Sequence, residues 1–180
     1  MRPLSFPALA AGLALLCAFQ PGHAADRYSL EIGAGEKVQL ARVGLQFDSE
    51  RTWHRRNGRH VGMYWDLTAA YWRQGMYRDI PGNKKGIADI GLTPVFRYQR
   101  DDKRGWYGEA AVGVHYLTEL YDNDYGELST RFQFGDHLAI GYVTQNQWDI
   151  ALKFQHFSNG GIRKPNNGVN YLVLKTSRRF

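Results

Sequence analysis

Alternation of polarity with period two runs through this chain and constrains its fold more than any other property. It is sharpest in residues 148–158, WDIALKFQHFS. One parity carries Trp148, Ile150, Leu152 and Phe154, then His156 and Ser158. The other carries Asp149, Ala151, Lys153, Gln155 and Phe157. Side chains of a strand point alternately to its two faces. One face is therefore an apolar stripe ending in an imidazole and a hydroxyl, and the opposite face is largely polar.

The pattern recurs at residues 28–34, 43–47, 61–71, 88–98, 106–116, 132–142 and 170–180. With 148–158 this makes eight segments, the number in the smallest common closed barrel. Aromatics are 14% of the chain and glycines number 20. The mean hydropathy is −0.49, as expected where only alternate residues meet lipid. The polar parity carries both charge signs, at Asp66, Asp89, Arg97, Glu109, Arg131 and Lys153. In a small barrel these fill the interior as a paired network. The expected fold is all-β, an eight-stranded antiparallel transmembrane β-barrel.

Connection lengths give the orientation. Residues 73–86, 118–127 and 159–168 are long connections, and 100–105 and 144–147 are short. Long loops are extracellular and short turns periplasmic in such barrels. With both termini in the periplasm, His156 and Ser158 lie near the outer end of the seventh strand. Two places fit poorly. Residues 49–59 form a long connection on the short-turn side, and Gly135-Asp136 interrupts the sixth stripe and reads as a bulge or a turn.

The N-terminus reads as a secretory signal peptide over residues 1–24. Arg2 supplies the positive charge, residues 8–19 the short apolar run, and Gly22-His23-Ala24 the small residues before a cut. The single cysteine, Cys17, lies in this segment, so the mature domain, 25–180, is built without disulfides. The formal charge is +6, of which Arg2 contributes one unit. A basic surface suits an anionic partner, and export argues against nucleic acid. The expected location is the cell outer membrane.

A His and a Ser two apart on a strand point the same way, with Cα atoms about 6.5–7 Å apart. Histidine as base and serine as nucleophile is the arrangement for acyl transfer. A polar cap where a lipid-facing strand leaves the bilayer would look the same. Asn159, Gly160 and Gly161 follow at once, and their backbone N–H groups are candidate oxyanion and substrate-binding donors; they also simply begin a loop. Asn170 has the parity of Leu172 and Leu174 and can meet His156 across the hairpin. His54, His60, His115 and His137 do not fall at metal-ligand spacing. No metal or cofactor is expected.

The run His156-Phe157-Ser158-Asn159-Gly160-Gly161, followed by Pro165-Asn166-Asn167-Gly168, resembles the signature of the lipid A 3-O-deacylase family of Gram-negative outer membranes. Residues 91–98 (GLTPVFRY), 108–113 (GEAAVG) and 131–136 (RFQFGD) extend the resemblance over most of the mature chain. It implies an esterase that removes the 3-O-linked acyl chain of lipid A, without a metal, from an active site on the lipid-facing wall. Ser158 is then the nucleophile, His156 the general base and Asn170 the third catalytic residue. The implied partners are lipid A or lipopolysaccharide of the outer leaflet and the surrounding lipids, and a homodimer is left open. One position departs from the pattern: the family has a Glu where this chain has Asn170. An amide orients an imidazole but brings no negative charge, and replacing the acid of a serine triad by its amide costs about 10⁴-fold in turnover. Arg163 and Lys164 are candidate contacts for lipid A phosphates.

Other readings make distinct demands. A catalytically weak or inactive structural barrel assigns no role to His156 and Ser158. An acyltransferase needs a donor pocket inside the barrel. A soluble carrier of the lipocalin type inverts the faces, with apolar side chains inside.

Overall fold

The computed structural model describes residues 24–123 and 126–180. Apart from Ala24, the expected signal segment lies outside the described residues. The chain forms β1 (Arg27–Gly35), β2 (Val38–Arg56), β3 (Arg59–Gly75), β4 (Lys84–Arg100), β5 (Gly105–Leu117), β6 (Asp122–Asn123), β7 (Gly126–Glu127), β8 (Phe132–Val143), β9 (Asp149–Ser158) and β10 (Val169–Arg179). Eight of these close into one barrel in the order β1-β10-β9-β8-β5-β4-β3-β2, while β6 and β7 form a small separate hairpin. Closure pairs Leu30 with Thr176, Ile32 with Leu174 and Ala34 with Leu172. Each barrel strand thus has two partners and no edge is left unpaired, which a bilayer requires.

The faces fall as the alternation requires. Ile32, Ile140, Phe154 and Leu172 are exposed on the outer wall, and Leu138 reaches 67%. The alternate parity is buried and charged. Glu31 accepts from Arg42 at 2.9 Å and from Lys153 at 2.7 Å. Arg97 bridges Glu109 at 2.6 Å and Asp149 at 2.9 Å. Tyr64 donates to Glu109 and receives from Lys175, each at 2.8 Å. His115 Nδ1 lies 2.9 Å from Asp89. Burying one of these charges alone would cost several kcal/mol or more; packed together they compensate one another. The lipocalin arrangement is thereby inverted. Arg131 departs from expectation: it precedes β8 and is exposed rather than interior.

Near one rim the interior changes character. Trp72, Phe157 and Tyr171 meet there, with ring centroids 4.6 Å apart for Trp72–Phe157 and 5.2 Å for Trp72–Tyr171. Leu117, Tyr121 and Leu128 join the same buried cluster. The longer connections, 76–83, 118–131 and 159–168, emerge at this rim, opposite the termini.

Two sequence expectations are corrected. Residues 49–59 are not a loop. β2 runs on to Arg56 and returns through Asn57-Gly58, both with positive φ, so the pairing extends past the wall. Gly135-Asp136 is neither bulge nor turn. The β8–β9 register passes through Phe134↔Ser158, Gly135↔Phe157, Asp136↔His156 and His137↔Gln155 without a break. The interruption was one of polarity, not of geometry.

Candidate active site

Phe157 explains how the site is held. Its ring is fully buried among Trp72, Tyr171 and His115. With that side chain locked inside, the strand period sends both neighbours outward. His156 and Ser158 are consequently part-exposed on the outer wall, at the loop-bearing end of β9. Antiparallel pairing then sets their lateral neighbours. Asn170 of β10 lies directly across from His156. Asp136 of β8 lies across from it on the other side. The row Asp136–His156–Asn170 therefore crosses three adjacent strands on the lipid-facing side.

Asn170 Oδ1 lies 2.7 Å from His156 Nδ1. A carbonyl oxygen only accepts, so Nδ1 carries the proton and Nε2 keeps its lone pair. That is the tautomer a general base needs. Among the described residues no hydrogen bond joins the ring to Ser158 Oγ; such contacts commonly tighten only when substrate binds. Gly168 closes over the imidazole. It has φ +81°, and a Cβ added there would stand 2.4 Å from His156 Cε1. Glycine is required on both counts.

The segment after Ser158 divides its donors unevenly. The Asn159 side chain is fully buried, and its Nδ2 donates to Arg163 O at 2.7 Å and to Ser129 Oγ at 3.3 Å. Its backbone N–H donates to Asn166 Oδ1 at 2.9 Å. Gly161 N–H donates to Asn159 Oδ1 at 2.9 Å. Gly160 N–H has only a long contact, 3.5 Å, with Ser158 Oγ. Of the three candidate donors, Asn159 and Gly161 are spent on the loop, and Gly160 N–H remains available beside the hydroxyl. Arg163 and Lys164 are exposed in the same loop.

Below the polar row the wall is apolar in register. Leu138, Phe154 and Leu172 form one row, and Ile140, Leu152 and Leu174 the next. The arrangement places an oriented base, a hydroxyl and one free amide donor at the upper edge of a lipid-compatible surface. It suits attack on a carbonyl carried by an acyl chain. Asp136, Asn166 and Gly168 fall within the motifs that carry the family resemblance, but the sequence assigned none of them a role in the site. The polar Asp136 within an apolar stripe was the available signal.

The family model described as lipid A 3-O-deacylase (PagL) matches residues 39–179. The chain is 33% identical to the lipid A deacylase PagL of Bordetella bronchiseptica over 173 residues, covering 93% of this chain and 92% of that protein. It is 26% identical to the lipid A deacylase PagL of Pseudomonas aeruginosa over 168 residues, covering 90% and 93%. Among solved structures it resembles that of the outer membrane enzyme PagL, with a TM-score of 0.73, 24% identity, and coverage of 86% of this chain and 99% of the other. That likeness concerns the fold.

Proposed function

This chain belongs to the lipid A 3-O-deacylase family, and we propose that it removes the 3-O-linked acyl chain of lipid A with Ser158 as nucleophile and His156 as general base. The family places it in the outer membrane as a hydrolase. The observation that carries the residue assignment is the His156 Nδ1–Asn170 Oδ1 bond on the lipid-facing wall, which leaves Nε2 free on the same face as Ser158.

His156 Nε2 takes the proton of Ser158 Oγ, and the oxygen attacks the ester carbonyl carbon. Gly160 N–H donates to the oxyanion as the tetrahedral intermediate forms. Collapse breaks the bond to the sugar oxygen, which leaves with the proton held by His156. Water, deprotonated in turn by His156, hydrolyses the acyl-enzyme and releases the fatty acid. The acyl chain lies along Phe154, Leu152 and their partners Leu172 and Leu174, so the substrate need not leave the membrane. Asp136, across β8 from the imidazole, supplies negative charge near the transient imidazolium.

The test is mass spectrometry of lipid A incubated with the refolded barrel in detergent, beside Ser158→Ala. The expected result is loss of one hydroxyacyl mass, absent with Ser158→Ala. An unchanged spectrum from folded protein overturns the reading. It leaves the inactive structural barrel, the alternative that Asn170 itself favours.

A further inference from the structure

A groove of about 530 Å³ opens on the outer surface at the loop-bearing rim, beside the catalytic row but not part of it. Ala34 and Gly35 form its near wall, and Lys37, Gln39, Arg73 and Lys84 are among the residues lining the rest. The topology gathers three cations from three places. Lys37 stands in the β1–β2 turn, and its carbonyl accepts from Gly75 N–H at 2.6 Å. Gly75 pairs with Lys84 across β3–β4. Arg73 lies two residues before Gly75 and pairs with Gln39.

All three cationic side chains are exposed, and among the described residues none forms an ion pair. Of the neighbouring charges, Lys85 meets Glu119 at 3.9 Å. Glu36, beside Lys37 in the turn, is exposed and does not line the groove. The groove lining therefore carries three cations and no carboxylate, next to a membrane surface whose anions are phosphates.

Its position relative to the site is fixed by the backbone. Gly35 packs so closely on β10 that an added Cβ would stand 2.2 Å from the Asn170 carbonyl oxygen. From Asn170 the groove spans β1, β2 and β3. At about 4.8 Å per strand this places Arg73 roughly 14 Å along the wall. That is the scale of a sugar headgroup, and both sites lie at the loop-bearing rim. Resting on the deacylase reading above, we propose that Lys37, Arg73 and Lys84 form a phosphate subsite that holds the headgroup of the same lipid A molecule whose acyl ester lies at Ser158. Arginine and lysine suit this ligand as fork and point charge respectively. The subsite aligns the disaccharide along the rim, so that one particular ester faces the hydroxyl.

The experiment uses the full barrel in zwitterionic detergent with Ser158→Ala, and measures binding of bisphosphorylated lipid A and of the same lipid A stripped of phosphate. Removing the phosphates should weaken binding by at least about tenfold. Adding Lys37→Gln, Arg73→Gln and Lys84→Gln should abolish that difference, while Arg56→Gln, exposed at the opposite rim, keeps it. If the triple variant retains the full preference, or the two lipids bind the parent equally, the proposal fails; the second comparison needs no folding of the variant. Inorganic phosphate should compete with bisphosphorylated lipid A, and saturation by phosphate without competition would also overturn it. Turnover by the Ser158 protein is read separately. Phosphate-dependent binding without deacylation would overturn the deacylase reading and leave the subsite. Deacylation with equal KM for both lipids would overturn the subsite alone.

Discussion

Asn170 Oδ1 accepts a hydrogen bond from His156 Nδ1 at 2.7 Å across the β9–β10 pair. The amide thus performs the orienting half of a triad acid's work and leaves the electrostatic half undone. Asn170→Glu should raise kcat by at least about tenfold with little change in KM, because a carboxylate also stabilises the imidazolium. Asn170→Ala should lower kcat by about tenfold or more, since it frees the ring to rotate. Initial rates of lipid A deacylation, read by mass spectrometry, check both directions.

Asp136 faces His156 from β8, with Cβ atoms about 4.5–5.5 Å apart by strand geometry. Such a charge near the protein surface is worth on the order of 1–2 kcal/mol to an imidazolium, about tenfold in rate. Asp136→Asn should lower kcat by that amount and leave KM unchanged. In the Asn170→Glu background the same substitution should cost less than half as much in free energy. A double-mutant cycle on kcat measures the difference; strict additivity would show that the two groups do not share the imidazolium, and an unchanged kcat in Asp136→Asn would remove Asp136 from the mechanism.

Gly168 supports the imidazole by having no side chain. Gly168→Ala forces a Cβ within 2.4 Å of His156 Cε1 at a φ of +81°, so the ring or the loop must move. A displacement near 1 Å costs about 10²-fold in rate. We expect that loss, with the heat-modifiable electrophoretic mobility of the folded barrel unchanged.

Asp101 lies in the turn between β4 and β5, beyond the spanning segments. The hydrogen bond between its carboxylate and His60 Nδ1 at 2.8 Å holds it below the ordinary carboxylate value of 3.8, and Arg55 adds to this at 3.2 Å. A depressed folded value means stability that is present above pH 3.8 and is lost as pH falls through the lower, folded value. Hydrogen exchange of the β2–β3 and β4–β5 ends should accelerate in that acid window. Asp101→Asn should remove this pH dependence and show the faster exchange at neutral pH as well.

The period-two pattern was enough to establish the strands, the barrel class and which parity faces lipid. A one-residue shift would turn Leu152 and Phe154 inward and Lys153 outward, so burial leaves no choice. It also placed His156 and Ser158 outside and at the end of a strand, because that is local arithmetic on β9. What the sequence could not carry is lateral neighbourhood. Whether Asp136 interrupts β8 or aligns with His156 depends on a register that only barrel closure sets. Asn159 looked like a free donor in the sequence; its backbone N–H is taken by Asn166 Oδ1 and its side-chain amide by Arg163 O of the same loop, and only Ser129 Oγ reaches that amide from a loop far away in the chain. Lys37, Arg73 and Lys84 are unrelated positions until β1 to β4 lie side by side. Periodicity is a property of consecutive residues and is legible without a fold; charge balance, donor availability and the width of a headgroup site are sums over neighbours from different strands, and closure chooses those neighbours.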